Sequence, residues 1–125
     1  MDDQLYEKLI ILFPTCPFII SVVDDINEIN EIFSDETVLF IYDDRANKYN
    51  YYYEGYTDTE LDKMKNYTMV KSSNGKFITL RDIIEAMIND DHYHDKIISG
   101  DPHCFLEGFS KSKKSDIQYT AIFGS

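Results

Sequence analysis

The sequence predicts a single α+β domain spanning residues 1–125, with two or three helices packed on a mixed, mostly antiparallel sheet of about five or six strands. A length of 125 residues is typical of one domain. Two continuous apolar runs, at 17–23 and 37–44, are bounded by turn residues and indicate buried strands. One stretch, from Thr79 onward, has strong helical periodicity.

Helix starts are marked by acidic and hydroxyl residues ahead of periodic apolar positions. Asp2 or Asp3 is expected to cap a first helix that continues to about Phe13. Its apolar face comprises Leu5, Leu9, Ile10, Leu12 and Phe13. Asp25 and Glu28 match a capping box for a short helix. The clearest helix has Thr79 as N-cap and Asp82 at N3, with apolar positions at Leu80, Ile83, Ile84, Met87 and Ile88.

The remaining strands are predicted from the alternation of apolar and polar residues and from turn-forming residues. The runs 17–23 and 37–44, joined by a short helix, are expected to be parallel if they are neighbours. YTMVKS (67–72) reads as a strand that leads into the tight-turn pair Asn74-Gly75. The segments 103–109 and 116–123 are expected to form a terminal hairpin around a lysine-rich loop.

The formal net charge of −11 is concentrated in the first half of the chain. Such a field repels nucleic acid, because non-specific phosphate binding requires clustered Lys and Arg. It favours a basic protein partner or divalent cations. The acids often stand in adjacent pairs, such as Asp24-Asp25 and Asp90-Asp91, which are typical of helix starts and loops. An acidic inhibitor that mimics nucleic acid is the more specific alternative.

Compartment and source are inferred from composition. The N-terminus is acidic where a signal peptide would be basic. The apolar run 9–23 contains Pro14 and Pro17 and is too short to span a bilayer. We therefore expect a soluble, intracellular protein without a membrane partner, whose Cys16 and Cys104 are reduced thiols. The excess of isoleucine over leucine and of lysine over arginine indicates an AT-rich genome, such as that of a phage, a giant virus (in whose host's cytoplasm the protein would act) or a low-GC organism.

Residues 92–104, HYHDKIISGDPHC, hold all three histidines of the chain. If a turn at 99–102 brings His103 back to His92 and His94, the three imidazoles could bind zinc or another divalent metal together with neighbouring aspartates. Their spacing matches no standard zinc motif. The alternative is that His92 and His94 stabilise the end of the preceding helix through its dipole.

A tyrosine-rich strand is the candidate interaction surface. Residues 49–56 cannot turn every tyrosine inward, because side chains alternate along a strand. Exposed tyrosines commonly anchor protein interfaces. The proposed surface consists of Tyr49, Tyr51, Tyr52, Tyr53, Tyr56, Asp43 and Asp44.

Together these features favour a small acidic interaction domain, accessory or structural in role, which binds another protein or a second copy of itself. No nucleophile with a neighbouring base and no glycine-rich phosphate loop can be read from the sequence, so a non-enzymatic role is preferred. The second hypothesis is a metal-binding or metal-dependent catalytic domain built on His92, His94 and His103. The third is the nucleic-acid-mimic inhibitor.

Overall fold

Two helices, a five-stranded mixed sheet and a small two-stranded sheet make up the part of the chain that the structure, a computed structural model, describes: residues 3–45 and 67–125. The helices are α1 (Asp3–Leu12) and α2 (Leu80–Ile88). The strands are β1 (Ile19–Ile20), β2 (Ile32–Ser34), β3 (Val38–Asp43), β4 (Thr68–Lys71), β5 (Ile78–Thr79), β6 (Phe105–Lys111) and β7 (Gln118–Gly124). Two 3₁₀ helices (Ile26–Asn30 and Asp91–His94) and a one-turn helix (Lys96–Ser99) connect them. The predicted α+β class is confirmed.

The strand order in the large sheet is β1-β6-β7-β3-β4. The predicted terminal hairpin is confirmed, since β6 and β7 pair antiparallel, as do β3 and β4. The pairs β1–β6 and β3–β7 are parallel. Strands β1 and β3 are not neighbours, because the hairpin lies between them, so the expectation that they would be parallel if they were neighbours does not apply. Long-range pairing with β6 and β7 sets their positions, which the local pattern could not reveal.

Strand β1 is much shorter than the apolar run that predicted it. Two residues, Ile19 and Ile20, have strand geometry, although the Ser21 N–H still donates to the Leu106 carbonyl at 3.0 Å. Pro17 has no N–H to give to a ladder. After Ser21 the chain turns towards the capping box of the first 3₁₀ helix.

The predicted capping box at Asp25 and Glu28 forms, and the predicted N-cap Thr79 also forms one with Asp82. Thr79 Oγ1 accepts the Asp82 N–H at 3.2 Å, and Asp82 Oδ2 accepts the Thr79 N–H at 3.0 Å. Asp25 and Glu28 make the same reciprocal pair, but the helix that follows is a single 3₁₀ segment. Local side-chain bonds therefore fix where these two helices begin, as the sequence indicated.

The predicted Asn74-Gly75 turn joins β4 to β5. Gly75 has a φ of +76°, a left-handed conformation that L side chains rarely adopt. Asn74 Oδ1 accepts the N–H groups of Lys76 and Phe77 at 2.8 and 3.1 Å. The asparagine side chain thereby satisfies the turn's backbone donors.

The core lies between α2 and one face of the large sheet. Fully buried members include Ile29, Leu39, Ile41, Val70, Ile78, Ile83, Ile84, Met87, Leu106 and Ala121. The contributions of α2 are the positions that the helical periodicity predicted. Across the described ranges, no helix has both the length and the apolar character needed to cross a membrane.

Replacing Thr79 with alanine removes the N-cap of α2 and leaves a helix N–H without its acceptor. We expect Thr79→Ala to lower the free energy of unfolding by about 1 kcal/mol, measured by urea denaturation. Thr37→Ala is the control, because Thr37 is exposed and, among the described residues, its side chain makes no hydrogen bond. Equal stability of the two variants would contradict the capping role.

Candidate functional site

The end of β3 carries a buried ion pair between Asp43 and Arg45, each about 3 % exposed. Arg45 Nη2 lies 2.9 Å from Asp43 Oδ2, and Arg45 Nε lies 3.1 Å from Asp43 Oδ1. The guanidinium carbon is 3.8 Å from the centroid of the Phe123 ring, a cation–π geometry. Arginine suits this role because its planar fork engages both carboxylate oxygens at once.

The same ion pair joins three separate segments of the chain. Arg45 Nη1 donates to the carbonyl of Ile98 at 3.3 Å and to that of His103 at 3.0 Å. His92 Nε2 donates to Asp43 Oδ2 at 2.9 Å. We call this arrangement the Asp43–Arg45 clamp: it fixes the second 3₁₀ helix and residues 98–103 against the end of β3.

Electrostatics in the clamp favour the ionised carboxylate. Burial alone would raise the pKa of Asp43, but the hydrogen bond from His92 and the bonds and charge of Arg45 outweigh it, so this pKa lies below its ordinary value. Tyr93 packs beside the clamp, with its ring centroid 4.9 Å from that of His92. Burial, and then the charge of Asp43, raise the pKa of Tyr93 well above its usual value.

The three histidines take three different acceptors. His92 donates to Asp43, His94 Nε2 donates to the Ile88 carbonyl, and His103 Nδ1 donates to Asp101 Oδ1 at 2.9 Å. The turn before His103 does return the chain to the neighbourhood of His92. It does so through the His103 carbonyl, which Arg45 holds, while the ring of His103 is held by Asp101.

This arrangement gives the metal hypothesis no geometric support. Among residues 3–45 and 67–125, no group of three His, Cys, Asp or Glu side chains is placed to hold a metal ion. His94 fits the alternative reading instead, because it donates to a carbonyl in the last turn of α2.

The tyrosine strand lies outside the described residues, so Tyr49, Tyr51, Tyr52, Tyr53 and Tyr56 stay a prediction. The two aspartates assigned to the same surface are described. Asp43 is buried in the clamp rather than presented to a partner, because it pairs with Arg45 and accepts a hydrogen bond from His92 inside the fold. Asp44 is half-buried, and its Oδ1 accepts the Phe123 N–H at 3.2 Å.

A groove between α1 and β1 is the other candidate site, with a cavity volume of about 330 Å³. One wall is α1, from which Tyr6 and Ile10 remain 41 % and 47 % exposed. The other wall is β1 with the residues on either side of it, and Ser99 and Cys104 also line the groove. The lining contains no charged side chain: it consists of Tyr6, Leu9, Ile10, Phe13, Pro14, Cys16, Pro17, Phe18, Ile19, Ile20, Ser99 and Cys104.

Both cysteines of the chain line this groove as reduced thiols. The Cys16 thiol donates to the Phe18 carbonyl at 3.1 Å. Burial raises the pKa of Cys16 to about 11, against a smaller lowering by that hydrogen bond. Cys16 is therefore protonated at neutral pH and unsuited to nucleophilic chemistry. The groove offers apolar contact rather than reactivity.

Sequence reasoning missed this groove because it assigned Ile10 to the buried face of α1. In the structure Leu5 and Leu9 are buried, whereas Ile10 and Ile11 are exposed. The signal was available in the excess of apolar residues on α1: they cover more of the helix than packing on one side requires.

Comparisons of this chain with protein-family models, with curated proteins and with solved structures return no match. The functional argument therefore depends on the geometry of the clamp and the groove.

Replacing Asp43 with asparagine leaves the buried Arg45 guanidinium without a counter-charge. We expect Asp43→Asn to lower the free energy of unfolding at pH 7 by about 3–5 kcal/mol, measured by urea denaturation. The control is Asp116→Asn at an ion pair with Lys111, in which the Asp116 side chain is 80 % exposed; it should change stability little.

The clamp also predicts a pH dependence. Because the pKa of Asp43 is lower in the folded protein than its ordinary value of 3.8, the unfolded chain binds the proton more tightly. The stabilisation is complete above about pH 5 and is lost as the pH falls through 3.8 towards the folded value. Unfolding curves of wild type between pH 7 and pH 3 should show this loss, and Asp43→Asn should lack it. A parallel decline in both proteins would contradict the assignment.

Proposed function

We propose that this protein is a small acidic interaction domain that binds an apolar segment of a partner protein in the groove between α1 and β1. The observation that carries the proposal is an uncharged, open groove of about 330 Å³ whose rim keeps Tyr6 and Ile10 nearly half exposed. Concave apolar surfaces with exposed aromatic and aliphatic side chains are typical of binding sites.

The energetic gain comes from removing this surface from water. Full burial of a side chain such as isoleucine stabilises by about 1.5–3 kcal/mol. Completing the burial of Tyr6 and Ile10 would supply roughly half of that amount at each position. The partner's own apolar side chains add to this gain, which must exceed the cost of association.

Charge selects the kind of partner. Asp3 and Glu7 are exposed on α1, one helical turn before Tyr6 and Ile10 respectively. Asp24 and Asp25 are exposed a few residues after β1. These acids favour an apolar segment that carries Lys or Arg residues.

The same charge disfavours a second copy of the chain as the occupant of the groove. Two chains of formal net charge −11 repel each other, and an exchange of identical acidic rims brings like charges together. A basic partner protein is therefore the occupant that we propose.

The test is selection of random 12-residue peptides from a display library against the full-length protein. We expect enriched peptides to combine apolar residues with Lys or Arg. Affinity measured by fluorescence polarisation should fall at least about tenfold for Ile10→Glu, because a carboxylate then occupies the apolar wall. Ile11→Glu is the matched control, since Ile11 is 80 % exposed and does not line the groove.

Protection of the two thiols supplies an independent readout. A bound peptide should slow alkylation of Cys16 and Cys104, both of which line the groove. Failure to select any peptide, or selected peptides that bind Ile10→Glu and Ile11→Glu equally, would overturn the proposal. Concentration-dependent dimerisation that Ile10→Glu abolishes would instead identify a second copy as the occupant and refute the basic partner.

A further inference from the structure

We infer that the partner segment binds in extended form, as an additional strand on the outer edge of β1. This inference rests on the proposed function and specifies how the groove is filled. It assigns part of the recognition to the backbone of β1 and part to the apolar wall of α1. Strand addition of this kind joins main-chain hydrogen bonds to pockets for alternate side chains.

Among the strands that the structure describes, β1 lies at an edge of the large sheet. It is the first in the order β1-β6-β7-β3-β4, and it pairs on one side with β6. The Ile19 N–H donates to the Cys104 carbonyl at 2.8 Å, and the Ser21 N–H donates to the Leu106 carbonyl at 3.0 Å. The backbone N–H groups of every second residue in this segment thus point towards β6.

The backbone groups of the alternate residues point away from β6. In a parallel ladder, N–H and C=O groups of successive residues alternate between the two edges, so those of Ile20 point away from β6. Phe18 directly precedes β1, and we place its carbonyl on the same outer edge. These groups supply one donor and two acceptors beside the groove that α1 flanks.

A hydrogen bond to the Phe18 carbonyl also indicates where an added strand would bind. It accepts the Cys16 thiol at 3.1 Å, and a thiol is a weak donor. A backbone N–H of an added strand is a stronger donor and would replace the thiol at this carbonyl. The thiol therefore occupies the place where a backbone amide of the partner would bind.

The burial of the residues that line the groove determines which positions of the added strand should be apolar. Phe18 and Ile20 are buried and point to the core side, whereas Ile19, between them, is half-buried. A strand beside β1 places every second side chain on the core side, against Tyr6 and Ile10 of α1. The segment we propose therefore has apolar residues at alternate positions and Lys or Arg among the others or at its ends, facing the exposed acids of α1.

The test is an N-methyl scan of the tightest 12-residue peptide from the display selection, bound to the full-length protein. N-methylation removes one amide donor at a time. We expect affinity to fall about tenfold or more at the two alternate positions whose amides face the Phe18 and Ile20 carbonyls, and to change less than about twofold at the other positions. A profile without alternation, or equal binding of a helix-stapled form of the peptide, would overturn strand addition. Groove binding would survive that result, because the loss on Ile10→Glu tests it separately.

A pair of substitutions at Cys16 tests the assigned carbonyl. Cys16→Ser places a stronger donor on Phe18, while Cys16→Ala releases that carbonyl. We expect the peptide to bind Cys16→Ala about two- to tenfold more tightly than Cys16→Ser, the range of one net hydrogen bond. The difference should vanish for the peptide methylated at the amide that pairs with Phe18. Its persistence there would show that groove polarity, not strand addition, causes it.

Discussion

The buried Asp43–Arg45 ion pair is the interaction on which the rest of the structure depends. Removing two charges from water is unfavourable unless each finds its partners inside the protein. Here Arg45 bonds to Asp43 and to two backbone carbonyls, and Asp43 also accepts from His92. Because these bonds come from three distant segments, they form only when β3, the second 3₁₀ helix and residues 98–103 are all in place.

The clamp also defines the groove, although the two do not share a residue. Arg45 holds the carbonyls of Ile98 and His103. Ser99 and Cys104, which directly follow these residues in the chain, line the groove. In the proposed complex, holding these neighbours in place would limit the conformational entropy lost when a partner binds. The histidine segment would then act through its backbone, whereas the sequence suggested its imidazoles.

The features that were predicted correctly are those set by hydrogen bonds between residues close in sequence. The side chains of Thr79 and Asp82 accept each other's backbone N–H groups, and Asn74, beside Gly75, accepts backbone N–H groups within three residues. Their roles can therefore be predicted without knowledge of the fold. The place of β1 beside β6 depends on pairing across more than eighty residues, and no local pattern encodes it. Burial of Asp43 was missed because paired acids usually mark loops. The opposite charge two residues later, at the end of an apolar strand, was the available clue.

Affinity and selectivity arise from different parts of the proposed site. The uncharged lining supplies apolar burial, which is non-directional and would accept many chains. The outer edge of β1 requires an extended backbone, and Asp3 and Glu7 on α1 repel acidic segments. Exposed Ile10 and an open strand edge would ordinarily invite self-association. With a net charge of −11, repulsion between copies opposes this outcome while leaving a basic partner free to bind. In this proposal, the acidity of the chain is what allows an exposed apolar groove to favour a basic partner over a second copy.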